Sequence, residues 1–262
     1  MTDTSLKDTV AIVTGGASGL GRAITIGLAN AGAHVIATAS QSRDELEALA
    51  GAEVGKGRVV PSIADVTSDS DCKRVVAEAI SKFGKLDVLV NNAGRGMKYV
   101  DETFLTKPTR FWETAPDTWR MIIDTNVNGP FLMARAAVQH LLAAGWGRIV
   151  NISMSYETMK RQGFSPYGPS KAALESETII WAQDLRDTGI TVNALLPGGA
   201  VETGMIPDTF PKDMRTKLMR PDIMVPPLLW LASARSDGFT GHRIIAAEWK
   251  GEPGQPRDAG WR

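Results

Sequence analysis

Cysteine is almost missing from this chain: Cys72 is the one thiol in 262 residues. A lone cysteine cannot close an intramolecular disulfide, and it removes every Cys-rich zinc site from consideration. Histidine is scarce as well. His34, His140 and His242 lie too far apart in sequence to form a local metal-ligand pair, so no resident metal is expected. An excess of one charge is also lacking, because 29 Lys and Arg balance 29 Asp and Glu. Nucleic acids and anionic membrane surfaces are bound through clustered positive charge that releases counterions, so neither partner is expected. No apolar run approaches the roughly 18 residues of a membrane span. The first eight residues show neither the basic start nor the apolar run and small-residue cleavage site of a signal peptide. With a reduced thiol, these absences make the cytoplasm the expected location.

What the chain has is enough apolar sequence, 43% of its residues, to bury a large core. A domain of this length removes roughly 70–75% of its unfolded surface from water and needs no staples. Short β-rich apolar runs fall at 10–14, 34–39, 58–63, 86–91, 148–152, 191–196 and 243–247. Helical spacing occupies 20–31, 70–83, 117–144 and 170–187; in the first of these Leu20, Ile24, Leu28 and Ala31 share a face and Gly32 follows as a stop. Continuous apolar strands are buried on both faces, and alternation with helices demands right-handed crossovers. The expected fold is α/β: a doubly wound, mostly parallel sheet with helices on both faces. No repeat, low-complexity tract or linker interrupts it, so residues 1–262 read as one domain. Two stretches break the rhythm. Residues 95–116 carry four aromatics, Tyr99, Phe104, Phe111 and Trp112, and 197–227 are rich in proline and methionine. Both follow strand carboxyl ends, where open α/β sheets bind ligands, so they are the expected substrate loops. The tail 250–262, with Gly251, Pro253, Gly254, Pro256 and Gly260, is expected to be extended.

Chemistry concentrates in a few motifs. The first strand delivers Thr14-Gly15-Gly16-Ala17-Ser18-Gly19-Leu20-Gly21 to a helix start. Gly15, Gly19 and Gly21 put no Cβ between the backbone and a ligand, so a pyrophosphate can approach the amides and the positive end of the helix dipole. Asn91-Asn92-Ala93-Gly94 closes the fourth strand, where small residues let backbone approach a nucleoside; alone it is also an ordinary turn. Tyr167-Gly168-Pro169-Ser170-Lys171 puts a phenol and an ammonium four apart, on one helical face. Pro169 belongs in a first turn, which places Tyr167 at the helix entrance. A nearby lysine favours the phenolate and makes Tyr167 a proton donor or acceptor. A surface Tyr-Lys pair has the same spacing.

Taken together and in this order, the glycine loop, Asn-Asn-Ala-Gly, Asn126 in a helix, serines ending a strand, Tyr167 with Lys171, and Pro197-Gly198 resemble the short-chain dehydrogenase/reductase family in its compact single-domain branch. The resemblance covers about residues 6–249. It implies a Rossmann-like seven-stranded sheet in a three-layer αβα sandwich, a nicotinamide cofactor, and metal-free hydride transfer between that cofactor and an alcohol or carbonyl. It further implies that Tyr167 is the general acid/base, that Lys171 depresses its pKa and binds the nicotinamide ribose, and that Asn126 holds a water in a proton relay. The glycine-loop residues Gly15, Ala17, Ser18, Gly19, Leu20 and Gly21 would hold the pyrophosphate side. By the same resemblance Asp65 and Val66 contact the adenine, Asn92, Ala93 and Gly94 line the adenosine side, Pro197 and Gly198 flank the nicotinamide, and Thr203 contacts its carboxamide.

The chain departs from the family pattern at the strand-end serine. Asn151-Ile152-Ser153-Met154-Ser155 places Met154 where the second serine of Asn-x-Ser-Ser is expected. Polarising a carbonyl requires a hydroxyl, and methionine has none. Ser155 is the favoured substitute, because a one-residue bulge at the strand end re-aims it, and Ser153 is the alternative. Cofactor choice turns on the end of strand two, where an acidic residue would select NAD. Ala39 stands there instead, followed by Ser40-Gln41-Ser42-Arg43, so Ser40 and Arg43 can accept a phosphate and NADP is favoured over NAD; against this, Ser18 replaces the basic loop residue common in NADP-preferring relatives.

The leading reading is an NAD(P)-dependent oxidoreductase acting on a small-molecule secondary alcohol or ketone. A nucleotide-binding sensor that lost catalysis is the alternative, motivated by Met154. A sugar-nucleotide epimerase or dehydratase shares the Tyr167/Lys171 spacing but needs an added carboxy-terminal substrate domain. Relatives pair long helices into tetramers, so a homotetramer or dimer is expected.

Overall fold

The computed structural model describes residues 6–50 and 57–253. Most of the tail, 254–262, lies outside the described residues. Seven strands form one sheet: β1 (Val10–Val13), β2 (His34–Ala39), β3 (Val59–Ile63), β4 (Val88–Asn91), β5 (Gly147–Ile152), β6 (Ile190–Leu196) and β7 (Arg243–Ile245). Their order is β3-β2-β1-β4-β5-β6-β7, and every pairing is parallel. The sheet is thus parallel throughout rather than mostly so. Chain direction across the sheet reverses between β1 and β4, which opens a crevice at their carboxyl ends.

Nine α-helices accompany the strands among the described residues: α1 (Gly19–Asn30), α2 (Arg43–Ala50), α3 (Asp69–Phe83), α4 (Pro116–Ile123), α5 (Gly129–Ala144), α6 (Tyr156–Met159), α7 (Tyr167–Asp184), α8 (Lys212–Arg215) and α9 (Val225–Ala232). Alternation along β1 explains the layers. Ala11 and Val13 face a cluster containing Ile24 and Leu28 of α1, Leu46 of α2 and Leu228 of α9. Val10 and Ile12 face another containing Val75 and Ala79 of α3, Met133 and Leu141 of α5, and Ala182 of α7. Every β1 side chain is buried whichever way it points, so the sheet sits between two helical layers.

Local chemistry sets the helix ends. Ser68 caps α3 by accepting from the Asp71 amide at 3.2 Å, and Gly84 ends it in a left-handed conformation (φ 79°). The periodicity over 117–144 predicts an unbroken helix, but the structure inserts a π-turn, Asp124–Asn128, between α4 and α5. Pro130 is the physical reason: it has no amide to give the preceding turn, and its ring crowds the carbonyl four residues back, that of Asn126. The helix expected at 170–187 begins instead at Tyr167 and ends at Asp184. Helices α2, α6, α8 and α9 go beyond those expected from spacing, being short or proline-bearing.

Buried charge is rare and mostly paired, with one informative exception on α7. Glu177 has a buried Oε2 with no hydrogen-bond partner, and burial pushes its carboxyl up to about 7. A raised carboxyl contributes stability below its unfolded value and loses it as pH rises through about 7. Glu177→Gln is expected to raise the unfolding free energy by about 1–2 kcal/mol at pH values above about 7 and to have little effect near pH 4. Urea denaturation across that range checks the sign; equal effects at both ends would show that Glu177 is not titrating in the fold.

Candidate active site

The crevice between β1 and β4 is lined first by the glycine loop. A Cβ on Gly21 would sit 2.0 Å from the Gly15 carbonyl oxygen, and one on Gly19 (φ 52°) would lie 3.2 Å from Thr203. The loop therefore closes tightly onto α1 only with glycine at those places. Ser18 occupies the cap of α1 in an extended conformation with no side-chain cap bond, and the first turn carries no acidic residue. Its amides and dipole are thus left to a ligand, and the absence of both a cap and an acid suits an anion such as a pyrophosphate. Ala17 is buried and Leu20 packs against the same core, so their side chains anchor the loop and leave the backbone facing the crevice.

Thr14 ties the two strands at the switch point. Its Oγ1 accepts from the Asn92 and Ala93 amides, each at 3.0 Å, while Asn92 Nδ2 donates to the carbonyls of Thr14 (2.9 Å) and Gly15 (3.1 Å). Asn92 accordingly braces the glycine loop from below. Asp65 accepts from the Thr67 amide and hydroxyl at 2.9 and 2.8 Å, and Val66 is buried against Gly129. At the end of β2, Ser40 is exposed, and Arg43 opens α2 with an exposed 3.6 Å ion pair to Glu47.

Deeper in the crevice the π-turn delivers Asn126, which is fully buried. Its Oδ1 accepts from the Arg95 amide at 2.8 Å, and its Nδ2 donates to the Arg95 carbonyl and to Ser170 Oγ, both at 2.9 Å. Ser170 in turn donates to the Tyr167 carbonyl at 2.7 Å. A Cβ on Gly94 would lie 3.3 Å from Asn126 Oδ1 and 3.8 Å from Lys171 Nζ, so Gly94, Asn126 and Lys171 converge. Lys171 donates to the Ile152 carbonyl at 2.7 Å, and burial holds its ammonium down to about 8. Tyr167 is the first residue of α7, and burial pushes its phenol up to about 12, opposite to the lowering expected from a lysine neighbour. Desolvation of the phenolate dominates over the ammonium here, since Lys171 directs a hydrogen bond at β5.

The strand-end serines are both engaged. Ser153 is buried and donates to Glu175 Oε1 at 2.5 Å. Ser155, half-buried, stands just before the short α6 without a capping bond and donates to Thr158 Oγ1 at 2.8 Å. Met154 packs with Met97, Phe104, Met159 and Phe164 in an apolar cluster against which Tyr156 and Tyr167 lie. The two irregular stretches meet over this cluster. Lys98 donates to the Gly204 carbonyl, Thr209 Oγ1 donates to the Glu102 carbonyl at 2.7 Å, and Met205 Sδ lies 3.4 Å from a Cβ position on Gly96. Gly198 (φ 97°) is held against Ile245 and Ala247, and the Pro197 carbonyl accepts from the Ala247 amide at 3.0 Å. Phe111 and Trp112, by contrast, are exposed and meet edge to face. No group of three or more His, Cys, Asp or Glu among the described residues is placed to hold a metal.

A family model described as short chain dehydrogenase matches residues 9–213. The chain belongs to the short-chain dehydrogenase family. It is 33% identical over 248 residues to a 3-oxoacyl-[acyl-carrier-protein] reductase from Thermotoga maritima, covering 91% of this chain and 96% of the relative. A solved 3-ketoacyl-(acyl-carrier-protein) reductase from Brucella melitensis, complexed with NADH, superposes with a TM-score of 0.80 at 30% identity, covering 92% and 97% of the two chains. A candidate NAD(P)-dependent gluconate 5-dehydrogenase from Beutenbergia cavernae, solved with NADP at low occupancy, gives 0.78 at 28%, covering 93% and 97%. This short-chain dehydrogenase is therefore an oxidoreductase with an NAD(P)-binding Rossmann fold. No helix among its described residues is long and apolar enough to cross a membrane.

Motif reading passed over several residues that organise this site. Thr14 was only the first letter of the glycine loop. Arg95, which brackets the Asn126 amide with its backbone, carries no sequence signature at all. Glu175 was visible as an acid four residues past Lys171, but its partner Arg243 is 68 positions away. Gly21→Ala in this short-chain dehydrogenase is expected to weaken NAD(P) binding at least about tenfold and to cost about 1–3 kcal/mol of stability, because the Gly15 carbonyl must move. Calorimetric titration with both dinucleotides checks it; unaltered affinity would remove the glycine loop from the binding site.

Proposed function

We propose that the protein transfers hydride between a nicotinamide dinucleotide and a small secondary alcohol or ketone, with Tyr167 as the general acid/base. The observation that carries this reading is the convergence of Gly94, Asn126 and Lys171, with Tyr167 opening the same helix, next to a helix start left free for an anion. When bound, the dinucleotide supplies or accepts the hydride. Gly15, Ala17, Ser18, Gly19, Leu20 and Gly21 would cradle its pyrophosphate, Asp65, Val66, Asn92, Ala93 and Gly94 its adenosine, and Pro197, Gly198 and Thr203 its nicotinamide.

With its pKa near 12, the Tyr167 phenol is protonated at neutral pH, the form that gives a proton to a carbonyl oxygen in reduction. Lys171, charged below about pH 8, places a cation one turn along α7 where it favours the phenolate left behind. Asn126 locks the Arg95 backbone to Ser170 and so fixes the entrance of α7. Ser155 is the better source of a polarising hydroxyl: it is half-exposed and, among the described residues, its hydroxyl bonds Thr158, whereas Ser153 is buried on Glu175. The apolar cluster around Met154 favours substrates with a hydrophobic body. A second reading, a nucleotide-binding protein of low turnover, is favoured by Met154 alone; dinucleotide binding without turnover over a wide carbonyl panel would select it.

Ala39 and the exposed Ser40 and Arg43 support NADP over NAD, since no carboxylate at position 39, the end of β2, repels a 2′-phosphate. Exposed Trp119, Phe131, Leu142 and Ile180 on α4, α5 and α7 offer faces for a second copy, and light scattering reads that assembly directly. Tyr167→Phe is expected to lower turnover at least about 100-fold while leaving dinucleotide affinity within about threefold. Turnover is read from the near-ultraviolet absorbance of the reduced nicotinamide over an alcohol and carbonyl panel, and a fully active Tyr167→Phe enzyme would end the acid/base assignment. Arg43→Ala should weaken NADP binding about tenfold and leave NAD unchanged, because one phosphate contact is lost; equal effects on the two would argue against a phosphate at Arg43.

A further inference from the structure

Helix α7 carries more than a tyrosine and a lysine. Tyr167, Lys171 and Glu175 follow one another at four-residue spacing and share a face. Three consecutive residues at the end of β5 are held by three charged side chains. Lys171 Nζ donates to the Ile152 carbonyl at 2.7 Å, Ser153 Oγ donates to Glu175 Oε1 at 2.5 Å, and Arg243 Nη2 donates to the Met154 carbonyl at 2.7 Å. Arg243 Nε also donates to Glu175 Oε1 at 3.0 Å, with both side chains only 4% exposed. Glu175 Oε2 is buried and makes no hydrogen bond among the described residues.

Burying two cations together is costly unless an anion lies with them. We propose that Glu175 is the counter-ion of the active-site lysine: it shares the charge of Lys171 and Arg243 and keeps Lys171 protonated, acting as a positioning residue for the reaction. This rests on the reading of Lys171 and Tyr167 above. The asymmetry between the cations makes the argument directional. A guanidinium cannot give up its proton inside a protein, whereas a desolvated ammonium does so readily. If the carboxylate is lost, Lys171 is the group that discharges. If the guanidinium is lost, the carboxylate acts on Lys171 alone, and the ammonium is held more strongly. Other groups facing this cluster are Tyr167 on the same helix and Tyr156 of α6, whose phenol bonds Glu175 and whose ring lies 3.9 Å from Arg243 Cζ. Both phenols sit near 12 and stay neutral through the range concerned. Gly94 and Asn126 contribute no charge.

The test is an NMR titration of protein labelled at the lysine ε-carbons, with the Lys171 signal identified by its loss in Lys171→Arg. The wild-type midpoint is expected near 8, in keeping with the desolvation of this site. Glu175→Gln should move it down by about one pH unit or more, and Arg243→Met should move it up by a similar amount. Should Glu175→Gln fail to fold with a lone guanidinium, Glu175→Gln is made in the Arg243→Met background, where the midpoint should fall about one pH unit or more below that of Arg243→Met alone. A midpoint that removal of the Glu175 carboxylate leaves unchanged, in the wild-type background or, where that variant does not fold, in the Arg243→Met background, would overturn the proposal and leave the pair a structural brace. The titration needs no turnover, so an active Tyr167→Phe enzyme would end the acid/base reading without touching this one.

Discussion

A parallel sheet exposes backbone on neither face without cost, and covering both faces of seven strands governs everything else in this protein. The crossovers that supply the two helical layers force the chain to start near the middle of the sheet and wind outward in both directions. That winding leaves β1 and β4 adjacent while their helices diverge. The resulting crevice brings together strand ends, a helix start and two loops.

Polar groups buried around that crevice must find partners, and the way they do so makes it rigid. Asn91 donates to Asn151 at 2.9 Å, Asn151 donates to Thr178 at 2.9 Å, and Thr178 donates to the Leu174 carbonyl at 2.8 Å. Thr14 and Asn92 join β1 to β4 in the same manner, and Asn126 joins the loop after β4 to α7. Each link costs little once formed and much if one partner is lost, because the remaining group stays buried and unsatisfied. The site is therefore held by several sets of buried hydrogen bonds between the glycine loop and α7, which suits chemistry that depends on fixed geometry.

The extent to which this was legible in sequence follows the range of the interactions involved. Strands came from apolar runs and matched within a residue or two, since burial on both faces marks each strand whatever its neighbours. The glycine loop and the Tyr167/Lys171 spacing were equally plain, because a backbone conformation and a helical face are local properties. The π-turn was hidden: helical spacing runs on either side of Asp124–Asn128, and a proline near a helix start is ordinary, so Pro130 did not mark the ladder it interrupts. Met154 was visible as an irregularity, but its meaning was not. Only packing shows that it fills an apolar cluster while the flanking hydroxyls turn to Glu175 and Thr158.

By itself, then, the sequence determined the layer architecture, the glycine loop ahead of the first helix and the Tyr167/Lys171 spacing on one helical face, because periodicity, glycine content and residue spacing act over fewer than about ten residues. Tertiary structure decided the protonation of that pair and the company it keeps. Tyr167 is raised by burial rather than lowered by its neighbour, and Lys171 shares α7 with Glu175, whose carboxylate is paired with Arg243 of β7. Desolvation and buried charge depend on what the whole fold brings within a few ångströms, and no local pattern encodes that distance.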